Sequence, residues 1–171
     1  VEKGSVIDTV YSVVNEESRM SVPMEWSVGF SVRKRDKWMF GVDYSQSDWS
    51  KSNFSPTPGV NFEPAMSRTL KAGLEFTPDR YSIRYFMRRW TYRLGAYYDK
   101  SYMRLNGQQV EAIGVTFGFS VPIYRWYNSV GVSIDAGQRG SIENNLIRER
   151  YVMLILNFNL HDIWFLKHRY N

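Results

Sequence analysis

Large apolar side chains occupy every second position through most of this chain. From 26 to 33, Trp26, Val28, Phe30 and Val32 alternate with Ser27, Gly29, Ser31 and Arg33. A period of two over eight residues describes a strand with two unlike faces, because successive side chains of extended backbone point in opposite directions. The pattern returns with Trp38, Phe40, Val42 and Tyr44, then with Leu70, Ala72, Leu74 and Phe76, and again with Tyr92, Leu94, Ala96 and Tyr98. It continues with Ile113, Val115, Phe117, Phe119 and Val121, then with Val130, Val132, Ile134 and Ala136, and last with Val152, Leu154, Leu156, Phe158 and Leu160. A less regular strand over 5–14 opens the chain, which makes about eight strands. No stretch has convincing helical periodicity.

The connections differ in character. Arg33-Lys34-Arg35-Asp36-Lys37 reads as a tight polar turn, and Asn106-Gly107 is a hairpin signal. The stretch 47–66 carries Pro56, Pro58, Gly59 and Pro64 and reads as a long loop, and 140–145 as a further polar loop. Short turns on one rim and longer loops on the other suit an outer-membrane barrel. An even strand count brings both chain ends to the short-turn, periplasmic rim.

Alternation alone also fits a soluble sandwich. Two features favour a membrane. The small-residue face carries charge at Asp43, Lys71, Glu75, Arg93, Asp99, Asp135 and Arg139, which we read as lumen-facing. The bulky face, represented by Phe30, Phe40, Leu74, Leu94, Phe117, Val132 and Leu156, is read as lipid-facing. Aromatic residues near strand ends, among them Trp38, Trp49, Trp90, Tyr124 and Trp126, are read as interfacial girdles, where amphipathic rings sit at headgroup level. The expected fold is therefore all-β: an antiparallel transmembrane β-barrel forming one domain over 1–171. Hydrocarbon leaves no water for unpaired backbone groups, so such a sheet must close.

Composition changes this picture little. Mean hydropathy is negative, but a barrel hides its hydrophobicity in alternate positions. The longest apolar run, 151–156, is far short of the ~20 residues of a membrane helix. Twelve Tyr, ten Phe and six Trp suit the girdle reading. The absence of Cys excludes disulfides and thiolate metal sites. A signal peptide is not evident at Val1-Glu2-Lys3, so the sequence reads as a processed chain or a fragment.

Catalytic chemistry is poorly provided for. The two histidines, His161 and His168, stand in or beside the terminal tail, away from any nucleophile that a general base would serve. His161, Asp162 and His168 match no common zinc spacing. Glu16-Glu17 read as solvated loop residues. Gly137-Gln138-Arg139-Gly140 lacks the Lys-Ser/Thr and the helix of a phosphate loop. The basic clusters Arg33-Lys34-Arg35, Arg88-Arg89 and Lys167-His168-Arg169 accompany no nucleic-acid motif and suit turns at headgroup level. The chain is expected not to be an enzyme and to need no cofactor or metal. Lipid is the expected partner, and nucleic acid is not. Lys71, Glu75, Arg93, Asp99 and Asp43 share one face of neighbouring strands, and they either pair across strands or stand solvated in a wet lumen. The glycines of that face read as relief of crowding in a curved sheet.

Four stretches carry a resemblance: SVPMEWSVGFSVRKRDKWMFGVDYSQSDW (21–49), YRLGAYYDKSYMRLNGQQVEAIGVTFGFSVPI (92–123), GQRGSIENNLIRERY (137–151) and NLHDIWFLKHRYN (159–171). Over most of 20–171 the chain resembles the C-terminal half of FadL-like long-chain fatty-acid transporters of the bacterial outer membrane, in the form common in Bacteroidetes. The resemblance implies passive transport of a hydrophobic small molecule through a barrel of 14 strands with an N-terminal plug. Either six strands lie outside this chain, or it closes as a smaller barrel. The missing barrel portion or other outer-membrane subunits are then its protein partners. The alternatives are a structural or accessory outer-membrane barrel within a larger complex, and a soluble β-sandwich binding domain.

Overall fold

A computed structural model describes residues 21–52, 61–123, 128–144 and 146–161. Among them are eight strands: β1 (Glu25–Lys34), β2 (Trp38–Asp48), β3 (Phe62–Pro64), β4 (Met66–Phe76), β5 (Thr91–Leu105), β6 (Gln108–Pro122), β7 (Ser129–Arg139) and β8 (Glu149–Asn159). Two short 3-10 turns, Trp49–Lys51 and Phe86–Arg89, are the helical elements among the described residues. No described helix is long and apolar enough to cross a membrane.

All pairings are antiparallel, in the order β1-β2-β4-β5-β6-β7-β8, with β3 pairing β5 beyond the end of β4. Seven strands correspond to the alternating runs in the sequence. The eighth is β3, which lies in the stretch read as a loop, while the strand expected over 5–14 lies outside the described residues. β3 and β4 are in effect one strand broken at Ala65. β5 bulges opposite this break, and its register with β6 shifts between Lys100 and Arg104. The Ala65 amide donates to Tyr102 O at 2.7 Å. The Gln109 side-chain amide donates to both Met66 O and Ser101 O at 2.6 Å, satisfying carbonyls that the bulge frees.

The β5–β6 connection is the expected hairpin. Asn106 (φ 48°) and Gly107 (φ 80°) both adopt the left-handed conformation of a type I′ turn, whose twist matches that of the flanking strands. The expected sorting of turns by rim does not hold. The rim with the three-residue β1–β2 turn also carries the long 77–90 connection, and the opposite rim carries the two-residue hairpin. β1 begins and β8 ends on opposite rims, so the described strands do not bring both ends to one side.

The all-β antiparallel sheet is as expected, and among the described residues it does not close into a barrel. β1 and β8 are the two edges of the sheet, and no ladder joins them. Neither 1–20, before β1, nor 162–171, after β8, is among the described residues, so the sheet is open as described.

One face is apolar from edge to edge. Val32, Phe40, Leu74, Leu94, Phe117, Ile134 and Leu154 form a continuous row of register partners across seven strands, and every one of them is exposed. Burial falls on the other face, at Ser120 and Asp135 and at the glycines between them in the ladder. Among the described residues the buried hydrophobic residue is Ala65 alone. This inverts a soluble sandwich, in which the bulky faces would interleave in a dry centre.

Candidate functional site

Strand alternation and register gather the polar side chains on one face. Its central row runs Asp43, Lys71, Tyr97, Gly114, Gly137, Tyr151 from β2 to β8. The two tyrosines lie over the two glycines. A Cβ on Gly114 would meet the Tyr97 ring, with Cζ at 2.5 Å, and one on Gly137 would stand 2.7 Å from Tyr151 Oη. The hydroxyls of Tyr97 and Tyr151 hydrogen-bond to each other. Tyr97 also donates to the buried Asp135 carboxylate, at 3.2 and 3.3 Å to its two oxygens. A buried carboxylate needs such donors, since leaving it unpaired carries the full desolvation cost.

Two rows further toward the β1–β2 turn, past the row of Gly41, Gly73, Gly95, Thr116 and Asp135, stand Met39, Glu75, Arg93, Gly118 and Ser133. Arg93 Nε donates to Glu75 Oε2 at 2.9 Å, and its Nη1 donates to Ser120 Oγ at 3.1 Å. Arg33 Nη2 stands 3.9 Å from the other Glu75 oxygen, so one carboxylate serves two guanidinia. Of the two readings of these charges, pairing holds for Glu75 and Arg93. Asp43 and Lys71 are register partners, but the ion pairs among the described residues do not include them. Asp99 instead accepts from Thr69 Oγ1 at 2.6 Å. Asp43, Lys71 and Arg139 are exposed.

Arg93 and Glu75 are partly solvated, so their attraction is screened. A double-mutant cycle with Arg93→Gln and Glu75→Gln is expected to give a coupling of about 0.2–1 kcal/mol. A value indistinguishable from zero in chemical denaturation would mean that water carries both charges.

At the β1–β2 turn this face opens into a cleft of about 360 Å³. Its lining includes Arg33 of β1 and Asn159 of β8, which belong to the two edge strands. In a flat sheet of this width those edges would stand roughly 29 Å apart at ~4.8 Å per strand. The sheet therefore curls toward its polar face at this end.

On the apolar face, Phe30, Phe40, Leu74, Leu94, Phe117 and Leu156 are exposed and Val132 is half-buried. Trp38, Phe76, Tyr92 and Phe119 are register partners in one row near the β1–β2 rim. Trp90 stacks on Phe119, with centroids 5.2 Å apart and planes at 11°. Trp49 sits at the opposite rim against Tyr102, its indole N–H donating to Ser47 Oγ at 2.8 Å. Tyr124 and Trp126 lie outside the described residues, as do Asp162 and His168. The His161 backbone amide donates to Asn128 Oδ1 at 2.6 Å.

The sequence did not bring Tyr97 together with Tyr151, and it marked Arg89 only as part of a basic cluster while passing over Arg80. Tyrosine on a small-residue face opposite glycine was a usable signal, but only once the register was known. Arg80 and Arg89 belong to the 77–90 connection, and only its fold carries them to the cleft.

No curated protein and no solved structure matches the chain. A family model does match it over residues 1–171, that of BamG.

Proposed function

Because the chain belongs to the BamG family, we propose that it is an accessory outer-membrane β-barrel within the machinery that assembles outer-membrane proteins. Family membership associates it with the bacterial outer membrane and with the subunits of the assembly (Bam) complex. The same finding corrects two expectations. The resemblance to FadL-like transporters does not hold, because the match is to a distinct family over the whole chain. Passive transport of hydrophobic compounds falls with it, and the accessory reading takes its place.

The observation that carries the proposal is the exposed apolar face running unbroken from β1 to β8, with the polar groups gathered behind it. So large an apolar surface calls for lipid or a protein partner. Most of the strands have 10 or 11 residues, about the 9–11 that a tilted strand needs to cross the hydrocarbon. The rows of aromatic side chains near the strand ends support interfacial placement. In lipid the exposed N–H and C=O groups of β1 and β8 must find partners, so the barrel reading requires polypeptide to close that seam. The part played is structural, not enzymatic.

Since the chain has no native Cys, single-cysteine labelling gives a clean test. An environment-sensitive dye on Phe117→Cys is expected to report hydrocarbon in vesicles, and one on its sequence neighbour Thr116→Cys to report water. Two equally wet positions would sink the membrane reading. Depletion of the chain in cells should lower the insertion of other outer-membrane proteins and leave uptake of fatty compounds unchanged. The opposite outcome would remove the accessory role.

A further inference from the structure

We propose that the cleft at the β1–β2 turn is a binding site for a phosphate-bearing anion. Six cationic side chains line it: Arg33, Arg35, Lys37, Arg80, Arg89 and Arg93. They come from the end of β1, the turn, the 77–90 connection and β5, so the fold assembles them from separate segments. The same wall holds two carboxylates. Glu75 is shared between Arg33 and Arg93, and Asp36 stands 3.8 Å from Arg80. Even with Arg80 and Arg89 set aside as partnered, Arg33, Arg35, Lys37 and Arg93 face the single remaining carboxylate of Glu75 among the described residues that line these 360 Å³. Like charges held together in a concave wall repel one another and raise the local concentration of anions.

The composition of the wall narrows the anion. Five of the six cations are arginines, whose planar forks suit oxyanions and bond them in pairs. Hydroxyls of Thr77, Thr91, Ser120 and Ser129 also line it, and they offer neutral donors beside the charged ones. This excess of positive charge exceeds what one carboxylate can meet, whereas a phosphate group brings about −1.5 to −2 with three acceptor oxygens. The phosphate could come from a lipid headgroup at the rim or from a soluble compound entering the mouth. The chemistry at the wall is the same for both. The site goes beyond the accessory role and does not depend on it.

Full-length chain in zwitterionic detergent, titrated calorimetrically with inorganic pyrophosphate and with dihexanoyl-phosphatidate, tests the proposal. Saturable binding of either ligand is expected, and it should weaken at least tenfold in Lys37→Gln/Arg80→Gln. The paired control Arg68→Gln/Arg104→Gln removes the same charge from positions outside the cleft and should leave binding within twofold of the parent. Circular dichroism and resistance to heat confirm that both variants are folded. Binding of pyrophosphate identifies a soluble source, and binding of phosphatidate alone identifies a lipid one. The proposal is overturned if neither ligand binds saturably, if both double variants lose affinity equally, or if hexaglutamate binds as tightly as the phosphates.

Discussion

Replacing Leu74 with arginine is expected to cost a lipid-inserted barrel about 2–4 kcal/mol of folding free energy, the range for a cation on the outer surface near the bilayer midplane. Leu74 is 44% exposed, and its register partners Phe40 and Leu94 continue the apolar row on both sides. The row lies one step inside the aromatic row of Trp38, Phe76 and Tyr92, with the Tyr44, Leu70 and Tyr98 row two steps the other way. On the proposed membrane placement, the row falls between the two aromatic rows and so within the hydrocarbon. A guanidinium there must either strip its water or drag water and headgroups inward. Arginine at Ser133, whose register neighbours Gly118 and Ile155 flank it on the polar face, should cost much less. Both substitutions are measured by reversible denaturation in lipid vesicles. Equal costs, or a larger one at Ser133, would reverse the assignment of faces.

Gly137→Val is expected to destabilise the sheet by about 1–3 kcal/mol through overpacking. A Cβ at this position would stand 2.9 Å from the Ile113 carbonyl oxygen as well as 2.7 Å from Tyr151 Oη. The carbonyl is part of the β6–β7 ladder and cannot retreat without loosening that pairing. The tyrosine can swing away, but doing so removes the hydroxyl that meets Tyr97 beside Asp135. Tyr151→Leu combined with Gly137→Val should therefore recover only part of the loss. Full recovery would show that the backbone approach contributes nothing, and no loss in the single variant would show that the tyrosine does not rest on the glycine.

Alternation made the strands legible because each apolar side chain reports the face on which it stands, and seven strands and their sidedness could be drawn from that alone. β3 escaped because three residues are too few to show a period, and Pro64 and the proline-rich stretch before it read as loop. Register escaped as well. It rests on bulges and turn lengths, and with it went the tyrosines over glycines and the choice of which facing charges pair. The family was misjudged for a related reason. The stretch 92–123 was one of four that carried the resemblance, yet within it Asn106-Gly107 answers a type I′ turn and Gln109 answers the bulge beside it. Any long hairpin with a bulge at that place would call for similar residues. The cleft stayed hidden because its arginines are scattered over sixty positions of sequence, and only the curl of the sheet gathers them.

The strand order has a kinetic consequence. Each long strand lies beside the one before it in the chain, so every new strand needs only its own connection closed, and the entropy of that step grows slowly with loop length. A nucleus at the Asn106-Gly107 hairpin can therefore recruit strands outward in both directions, one neighbour at a time. In the proposed barrel, the sequence-distant partnership that satisfies the edges of β1 and β8 would then come last and be the slowest step.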